Sequence, residues 1–528
     1  MLRKNNISTL FHTIVYLKPI QIWYQVYYRV RNKVWKFKPV TRIPDRIQIN
    51  WEDCLYNVNT YQNYSSFIFL NISHHFTDEI NWNIPDYGKL WAYNLNYFDY
   101  LNQKELPTSA GLQLIQDFIT QSGMHKVAYE PYPTSLRIIN WVKFLSKEQL
   151  NDQSIDLHLY NDCLRLTGSL EYHILANHLL ENGFGMLFGA FYFQDEHFYQ
   201  VAKKIITEQL SEQVLSDGGH FELSPMYHQI ILYRILDSLN LIIKNPWKQD
   251  LLSLLESKAG MMLSWLRNIT FQNGDVPRVN DTAIGITPGT DELFMYAQKL
   301  KIREKFVPLN ESGYRKFVNE QFELFIDVGQ IAPSYQPGHS HADNLHFLLN
   351  YKNQPIIVDT GISTYEKSDR RQSERSTLAH NTLTINEKDS SEVWGGFRVG
   401  RRARTRIIME EDKLVVANHD GYKKEGIIHQ RSFNFSEKVI EIVDTVSGDL
   451  SNKKIKGYLH FNHNCNLKIE GGNILVNNEL QIHIENPSEL FQEEYELALG
   501  YNKIVHARRV CYIIDQSPIK ISIKQKIL

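Results

Sequence analysis

Two apolar runs in the second half of the chain, FELFIDV at residues 322–328 and LHFLLNY at residues 345–351, bracket the polar string GHSHADN at residues 338–344. Both runs are short and rich in strand-forming residues. Further runs of the same kind follow, among them Ile356 to Val358, Thr382 to Ile385, Leu414 to Ala417 and Leu480 to Ile484. Asn, Gly and Lys turns separate these runs, without helical patterns between them. Many short strands in succession predict an antiparallel sandwich and not a parallel sheet.

The first half of the chain has a different periodicity. From about Thr108 to Lys301, apolar residues recur at helical spacing, for example Leu112, Ile115 and Ile119. Helix pairs joined by short turns predict a bundle or a toroid. We expect the change from helix to strand near residues 305 to 320, around the polar stretch Asn310 to Gly313.

Length and composition narrow the class of protein. A chain of 528 residues is too long for one compact core, and 43% hydrophobic with 22% charged residues is typical of folded globular proteins. The near-zero net charge of −2 gives no field that would gather nucleic acid. Aromatic residues reach 12%, which suits carbohydrate stacking as well as core packing. The four cysteines, including Cys54, form no C-x-x-C pair.

The first 50 residues carry ten Lys and Arg residues against one acidic residue, Asp45. Aromatic side chains interleave with the cations between Ile20 and Lys38, namely Trp23, Tyr24, Tyr27, Tyr28, Trp35 and Phe37. The pattern is typical of an interfacial helix on an anionic membrane; a solvated basic face packed on its own domain is the alternative that we favour at this point. The stretch Ile7 to Leu17 does not resemble a secretion signal, so we expect a cytoplasmic location, peripheral to the inner membrane if the segment binds lipid.

Two polar clusters stand out in the helical half. Asn182-Gly183 is typical of a helix stop, which predicts that Asn177, His178 and Glu181 lie in the last two turns of a helix; taken alone, they indicate a surface terminus.

Ser224-Pro225 is typical of a helix start, and it places Tyr227 beside unsatisfied backbone amides. The positive helix end predicts a phenol more acidic than a free one, able to exchange a proton with a sugar oxygen. A hydrogen-bonded core tyrosine is the equal alternative.

Two further clusters lie among the predicted strands. His339 and His341 share a face if the strand geometry begins early in the GHSHADN string. His341, Asp359 and His380 form an N, O, N set of the kind that binds zinc, although their spacing is not diagnostic of a metal.

Taken together, these strings resemble the heparinase II/III-like polysaccharide lyases. The strings that carry the resemblance are Asn177-His178 with Glu181, Ser224-Pro-Met-Tyr-His228, Gly338-His-Ser-His-Ala-Asp343, Val358-Asp-Thr-Gly361 and RSTLAHNTLT at residues 375–384. They span roughly residues 85 to 425. The resemblance implies a multidomain α+β protein in which a basic lead-in (1–85) precedes an incomplete (α/α) toroid (86–310) and an antiparallel β-sandwich (311–528).

The reaction that the resemblance implies is β-elimination in a uronic-acid-containing polysaccharide. The C5 proton of a uronate is a weak acid, because its removal places charge beside an existing carboxylate that must be neutralised. The resemblance implies that Asn177, helped by His178, neutralises the carboxylate and that His339 is the base for one epimer. It implies that Tyr227 protonates the leaving oxygen, or does both jobs for the other epimer.

The resemblance also implies a metal site and substrate contacts. His341, Asp359 and His380 match the family's ligands for a divalent metal with a mainly structural role, and zinc is the expected ion. Arg278, Arg371 and Arg375 could pair with substrate carboxylates or sulfates, although an interdomain salt bridge is the alternative for Arg278. Tyr365 could stack or hydrogen-bond on the sugar, and Glu181 could orient His178.

Three functions follow as hypotheses. The first is a uronate polysaccharide lyase acting in capsule or exopolysaccharide metabolism. The second is a non-catalytic glycan-binding or assembly protein of envelope polysaccharide biosynthesis. The third is a glycoside hydrolase, for which Glu222 and Asp217 are the candidate carboxylates.

Overall fold

The computed structural model describes residues 2–34, 36–53, 55–63 and 65–526, so Trp35 and Cys54 lie outside the described residues. The chain begins with two helices, α1 (Leu2–Ile14) and α2 (Pro19–Val34), and a small hairpin, β1 (Ser66–Phe69) and β2 (Ile72–His75). A run of helices follows: α3 (Lys89–Tyr97), α4 (Thr108–Thr120), α5 (Pro131–Lys147), α6 (Gln153–Thr167), α7 (Ala176–Phe193), α8 (Glu196–Gln213), α9 (Pro225–Lys244), α10 (Leu252–Ile269) and α11 (Thr290–Lys299). This run is the helical domain.

The strands of the second half form the β domain. Their order is β3 (Tyr314–Val318), β4 (Phe322–Asp327), β5 (Phe347–Tyr351), β6 (Gln354–Ile357), then helix α12 (Asp369–Glu374), β7 (Leu383–Ile385), β8 (Val393–Trp394), β9 (Arg398–Val399), β10 (Thr405–Glu411), β11 (Leu414–His419), β12 (Ile428–Phe435), β13 (Val439–Ser447), β14 (Ile455–His460), β15 (Leu467–Glu470), β16 (Asn473–Val476), β17 (Leu480–Ile484), β18 (Glu489–Gly500), β19 (Lys503–Ile514) and β20 (Ile519–Gln525). Helix gives way to strand between Lys299 and Tyr314.

All the strand pairs in the described residues are antiparallel. One sheet of eight strands has the order β10-β11-β12-β13-β20-β17-β16-β15, and two sheets of four have the orders β18-β19-β14-β7 and β3-β4-β5-β6. Strands β12 and β13 alternate strictly between buried and less buried residues, as a sheet with one covered face must. The prediction of a helical domain followed by an antiparallel sandwich is therefore confirmed.

Helix α7 corrects one expectation. Asn182-Gly183 does not end the helix, which continues to Phe193, so Asn177, His178 and Glu181 lie in its first two turns and not its last. Gly183 serves helix packing, since a Cβ there would lie 2.8 Å from Ile205 on α8. The buried Asn182 side chain accepts a hydrogen bond from the Glu171 backbone amide. The Asn-Gly pair is thus a packing feature, and the polar cluster sits at the positive end of α7.

The start of α9 agrees with the sequence. Ser224 is the N-cap, its Oγ accepts the Tyr227 amide at 3.4 Å, and Pro225 occupies the first turn. The GHSHADN string is different: it forms an irregular loop that ends before β5, so His339 and His341 are presented by a loop and not by a strand.

The N-terminal helices pack on both domains. From α2, Gln21 donates to the Ile174 carbonyl at 3.0 Å and Tyr24 stacks on Tyr172. On the β-domain side, Trp394 donates to the Thr13 hydroxyl, next to the end of α1, at 3.1 Å. In the part of the chain that the structure describes, no helix is both long enough and apolar enough to cross a bilayer.

A buried ion pair fixes the loops of the β domain. Arg431 donates to both oxygens of Asp444, at 2.7 and 2.8 Å, and to the backbone carbonyls of Leu345 and Asn381. Burial alone would raise the pKa of Asp444, but Arg431 and then His429 lower it, so the carboxylate is ionised. Arg431 therefore ties the eight-stranded sheet to the loops that carry His341 and His380.

We predict that Arg431→Met lowers the free energy of unfolding by about 3–5 kcal/mol, because it leaves the buried Asp444 charge without its main partner. Chemical denaturation measures the loss. Lys413→Met is the matched control, since Lys413 pairs with Glu437 at the exposed surface and should matter little. Equal stabilities of the two variants would contradict the prediction.

Candidate active site

A cavity of about 450 Å³ lies between the helical and β domains. Its helical wall comes from α3, α5, α7 and α9, and its opposite wall from loops of the β domain. Its lining residues include Lys89, Asp99, Tyr132, Ile174, Ala176, Asn177, His178, Glu181, Glu222, Met226, Tyr227, Arg234, His339, Tyr365, Glu366 and Phe397. We call this cavity the cleft.

Tyr227 and His339 meet in the cleft from opposite domains. Their ring centroids are 4.0 Å apart with an interplanar angle of 30°. The Tyr365 hydroxyl lies 3.3 Å from the Tyr227 hydroxyl. The structure thus brings together three of the residues that the sequence nominated, across the boundary between the domains.

Asp281, in the loop between α10 and α11, is the centre of a buried charge network. Arg371 donates to its two oxygens at 2.5 and 2.6 Å, His339 Nδ1 lies 2.8 Å from Oδ2, and His341 Nε2 lies 2.9 Å from Oδ1. Burial alone would raise the pKa of Asp281, but the Arg371 guanidinium and the two histidine contacts hold it well below its usual range. The carboxylate is therefore ionised.

The ionised Asp281 fixes the tautomer of His339. A carboxylate can only accept, so His339 Nδ1 carries the proton that it donates to Asp281, and in this tautomer the lone pair is on Nε2. The Tyr365 hydroxyl is 3.4 Å from the same Nδ1, but no lone pair remains there to accept from it. Nε2 lies 3.6 Å from Glu222 Oε2, beyond hydrogen-bond distance. No hydrogen-bond partner holds Nε2 of His339 in the part of the chain that the structure describes, so this nitrogen is available to act as a base.

Asn177 is buried against Glu222. Its Nδ2 lies 2.9 Å from each carboxylate oxygen of Glu222, and its backbone amide donates to Oε1 at 3.2 Å. A side chain held in this way has a fixed orientation. Its amide can bind a further acceptor only by sharing its protons with Glu222.

His178 supplies positive charge at the helical wall. Its Nδ1 is 3.0 Å from Glu171 Oε1, and its ring lies 4.6 Å from that of Tyr132. Burial alone would lower the pKa of His178, but Glu171 outweighs burial and raises it. This favours an imidazolium beside the first turn of α7.

Glu181 does not contact His178 as expected; it pairs with Arg234 on α9 at 3.3 Å. Burial raises the pKa of Glu181 to about 7, and Arg234 only partly opposes this. Glu181 Oε2 and Arg234 Nη1 both lack hydrogen-bond partners among the described residues. The pair lies in the wall of the cleft with unused hydrogen-bonding capacity.

Tyr227 is not an acidic phenol, contrary to the expectation from its place on α9. Burial raises its pKa above the ordinary value, and the hydrogen bond with Tyr365 opposes this only in part. A helix end contributes about 0.3–1 kcal/mol at its first turn, which is less than the cost of burying an ionised phenol. Tyr227 is therefore a neutral hydroxyl, suited to donate a proton.

The three nominated arginines do not line the cleft. Arg371 is committed to Asp281, and Arg375 is fully buried and donates to the carbonyls of Ser340 and Gly396. Arg278 lies beside Asp275 in a separate cavity of about 50 Å³. These residues were expected to bind substrate because arginine suits carboxylates; the structure uses two of them as internal supports.

A possible metal site lies behind the His339 loop. Ligand atoms of His346, Asp359 and His380 all lie within 4.8 Å of one another, and all three side chains are buried. Asp359 Oδ2 is 2.7 Å from His380 Nδ1 and 3.1 Å from His346 Nε2. The buried Nε2 atom of His380 has no hydrogen-bond partner among the described residues. The donors present fit a divalent metal.

The third member of this group differs from the predicted set. Asp359 and His380 are in it, but His346 takes the place expected for His341, whose Nε2 is held by Asp281. Burial lowers the pKa of His341 to about 4, so the ring is neutral. His341 stays near the group, since its ring lies 5.3 Å from that of His380 and its Nδ1 has no partner in the described chain.

The sequence analysis missed Asp281, His346, Glu171 and Arg234. Arg234 lies seven residues after Tyr227 on the same helix, which places it on the same face. Asp281 offered no comparable signal, because its partners come from the other domain. Of the two hydrolase carboxylates, Asp217 accepts from Asn310 and Ser312 away from the cleft, so it does not pair with Glu222 across a substrate.

Comparisons with known proteins agree with this architecture. The protein-family model described as Heparinase II/III N-terminus matches residues 24–286 of this chain. The family model described as Heparinase II/III-like, C-terminal matches residues 301–513. The chain is 23% identical over 310 residues to a heparin-sulfate lyase of Bacteroides stercoris. That match covers 52% of this chain and 44% of the relative, so the chain spans less than half the length of that curated relative.

Solved structures show the same fold. A crystal structure of heparinase III has a TM-score of 0.71 at 15% identity, over 96% of this chain and 90% of that one. A heparan sulfate lyase from Pedobacter heparinus has a TM-score of 0.54 at 16% identity, over 88% of this chain and 81% of that one. With both family models matching in order, across the two domains that form the cleft, this chain belongs to the heparinase II/III-like family.

Proposed function

We propose that this protein is a polysaccharide lyase that cleaves a uronic-acid-containing polysaccharide by β-elimination. The observation that carries the proposal is the contact of Tyr227 with His339, a neutral phenol beside an imidazole whose Nδ1 is held by an ionised carboxylate. The names of the similar proteins, a heparin-sulfate lyase and heparinase III, support the same class of reaction.

The two residues divide the proton transfers of the elimination. His339 Nε2 removes the C5 proton, the C5 electron pair forms the C4–C5 double bond, and the C4–O4 bond breaks. Tyr227 donates its proton to the leaving O4. His339 ends protonated and Tyr227 ends as a phenolate, and a proton passed between the adjacent groups restores both.

The charge that develops beside the substrate carboxylate needs nearby positive groups. His178, whose pKa is raised by Glu171 against the effect of burial, and the first turns of α7 and α9, represented in the cleft by Ala176 and Met226, can provide them. Asn177 adds a hydrogen bond, shared with Glu222. We therefore assign the neutralising role to His178 and Asn177 jointly.

The charges in the cleft favour a sparsely charged polymer. Lys89 and Arg234 are the permanent cations among its lining residues, against the carboxylates of Asp99, Glu181, Glu222 and Glu366. Dense sulfation would add repulsion without new partners. We propose that the substrate is a uronan of low sulfate content. We also propose that the protein acts in the cytoplasm, in capsule or exopolysaccharide metabolism.

We further propose that the group of His346, Asp359 and His380 binds zinc. A bound zinc ion would cross-link the chain at these positions and stabilise the loop that presents His339. The residues that touch the sugar belong to the cleft and not to this group.

The first test is a lyase assay across heparan, hyaluronan, chondroitin, alginate and capsular uronans. We expect an unsaturated, ultraviolet-absorbing product without added water by mass spectrometry, from the polymers of low sulfate content. Tyr227→Phe should lower turnover by about 100-fold or more because it removes the proton donor. Tyr495→Phe, which removes a buried hydroxyl in the β domain, is the control and should stay active.

Other products would rule the proposal out. A saturated product that carries oxygen from water would identify a hydrolase. Retention on immobilised polymer with no turnover on any uronan would identify a non-catalytic glycan-binding protein.

We predict that Asp281→Asn lowers kcat by about 100-fold or more with little change in KM, because Asp281 orients His339 without lining the cleft. Asp217→Asn is the control, a buried carboxylate that supports Ser312 elsewhere; it should lower stability and leave kcat unchanged. Thermal unfolding of both variants separates folding from turnover. Equal kcat losses in the two variants would refute the positioning role.

We predict that His346→Gln removes the bound zinc, measured by elemental mass spectrometry, whereas His341→Gln retains it. A chelator should lower the thermal midpoint of the natural protein but not that of His346→Gln. Zinc loss in His341→Gln with retention in His346→Gln would instead assign the third ligand to His341.

A further inference from the structure

Helix α2 packs with its polar face inward and leaves its apolar face exposed. The inward side is formed by Gln21, Tyr24, Tyr28 and Arg31, at helical spacing. Gln21 and Tyr28 donate to backbone carbonyls of the helical domain, at Ile174 and Leu170. A helix held to its own domain in this way normally turns its apolar stripe toward the core.

The opposite side of α2 is an apolar stripe in solvent. Ile22, Trp23, Val26, Val30 and Val34 follow one another at helical spacing, with exposed fractions of 46%, 65%, 55%, 61% and 82%. Scattered exposed apolar residues are ordinary, but a continuous stripe along a whole helix marks an interaction surface.

Helix α1 and the link after it extend the apolar surface. Leu10, Phe11, Ile14 and Val15 are all exposed, Phe11 by 64%. Thr9 and Thr13 face the β domain, with Thr13 bonded to Trp394. In both N-terminal helices, polar residues therefore contact the rest of the protein, and apolar residues face the solvent.

Exposed cations surround the stripe. Arg29 and Lys33 lie on the outward side of α2, and Lys36, Lys38 and Arg42 follow in the next segment, all exposed. Within the described residues, these five cations have no ion-pair partner. The surface thus combines an apolar stripe with a positive border.

We propose that α1 and α2 form a docking surface for an anionic phospholipid bilayer, with the apolar stripe seated in the interface and the cations on the headgroups. The apolar stripe can be buried among the acyl chains of a bilayer, and the Lys and Arg residues can pair with its anionic headgroups. Trp23 suits the boundary between headgroups and acyl chains.

Other occupants fit the surface less well. A second copy seated on the same stripe would bring two sets of like charges together, which opposes association. A uronate polymer would pair with the cations, but its polar, charged surface would not bury the exposed valines of the stripe. The bilayer is the occupant that matches both the charge and the apolar stripe.

The surface lies next to the cleft. Gln21 bonds the carbonyl of Ile174, which lines the cleft. A protein docked through α2 would therefore work on polymer close to the membrane surface. This goes beyond the proposed function, because docking does not require that the cleft be active.

The test is cosedimentation of the full chain with vesicles of phosphatidylcholine alone or of equal parts phosphatidylcholine and phosphatidylglycerol. We expect partitioning to be at least about tenfold stronger on the anionic vesicles and to weaken at high salt. The double variant Val26→Ser with Val30→Ser, and separately Arg29→Gln with Lys33→Gln, should each reduce binding by about tenfold. The tryptophan emission shift on binding should be lost in Trp23→Phe.

The matched control is Ile408→Ser with Met409→Ser, which removes exposed apolar residues of β10 and should bind vesicles like the natural chain. Turnover on soluble polymer should be the same in all these variants. Absent vesicle binding overturns the proposal, as does a stable dimer in light scattering that Val26→Ser with Val30→Ser dissociates. Binding of the soluble uronan that depends on Arg29 and Lys33, without vesicle binding, assigns the surface to polymer and also overturns it.

Discussion

The buried Asp281 carboxylate is the interaction on which the rest of the site depends. It belongs to the helical domain, and it receives hydrogen bonds from three residues of the β domain, namely Arg371, His339 and His341. Without Arg371 the carboxylate would be an unpaired buried charge, and without the carboxylate the imidazole would have no fixed tautomer. One network therefore joins the domains and fixes the orientation of the His339 ring.

Two electrostatic effects act in opposite directions in the cleft. The first turns of α7 and α9 attract an anionic substrate, while the carboxylates in the walls limit how much negative charge can enter. Glu181 illustrates the balance: burial raises its pKa to about 7, so this side chain can lose its charge near neutrality. The cleft can thus admit a single negative charge while it disfavours a densely charged chain.

The fold was accessible from local patterns, because apolar periodicity and turn residues act over a few positions. The runs at Phe322 and Leu480 became strands β4 and β17 with the expected starts, and Ser224 capped α9 as predicted. Tyr227, His339, Asp359 and His380 were also nominated from the sequence, since each lies in a short polar string. Their meeting across two domains required coordinates.

The errors have physical causes that local patterns do not contain. An Asn-Gly pair is typical of a helix end, but here Gly183 stays inside α7 because its lack of a side chain lets α7 pack closely against α8. The phenol of Tyr227 seemed acidic when only the helix end was counted, and burial reverses the sign. Asp281 and His346 depend on partners tens of residues away. Arg371 and Arg375 have the chemistry of substrate ligands, but the surrounding loops occupy them.

The first two helices have a mechanical consequence. Helix α1 is held to the β domain through Thr13 and helix α2 to the helical domain through Gln21. Between these two contacts, Lys18 pairs with Glu212 and lies 4.0 Å from the ring centroid of Tyr335. A hinge motion that separated the two domains would have to break the contact of α1 with the β domain or that of α2 with the helical domain. These contacts therefore fix the width of the cleft between the two domains, and that width limits the thickness of any chain that enters it.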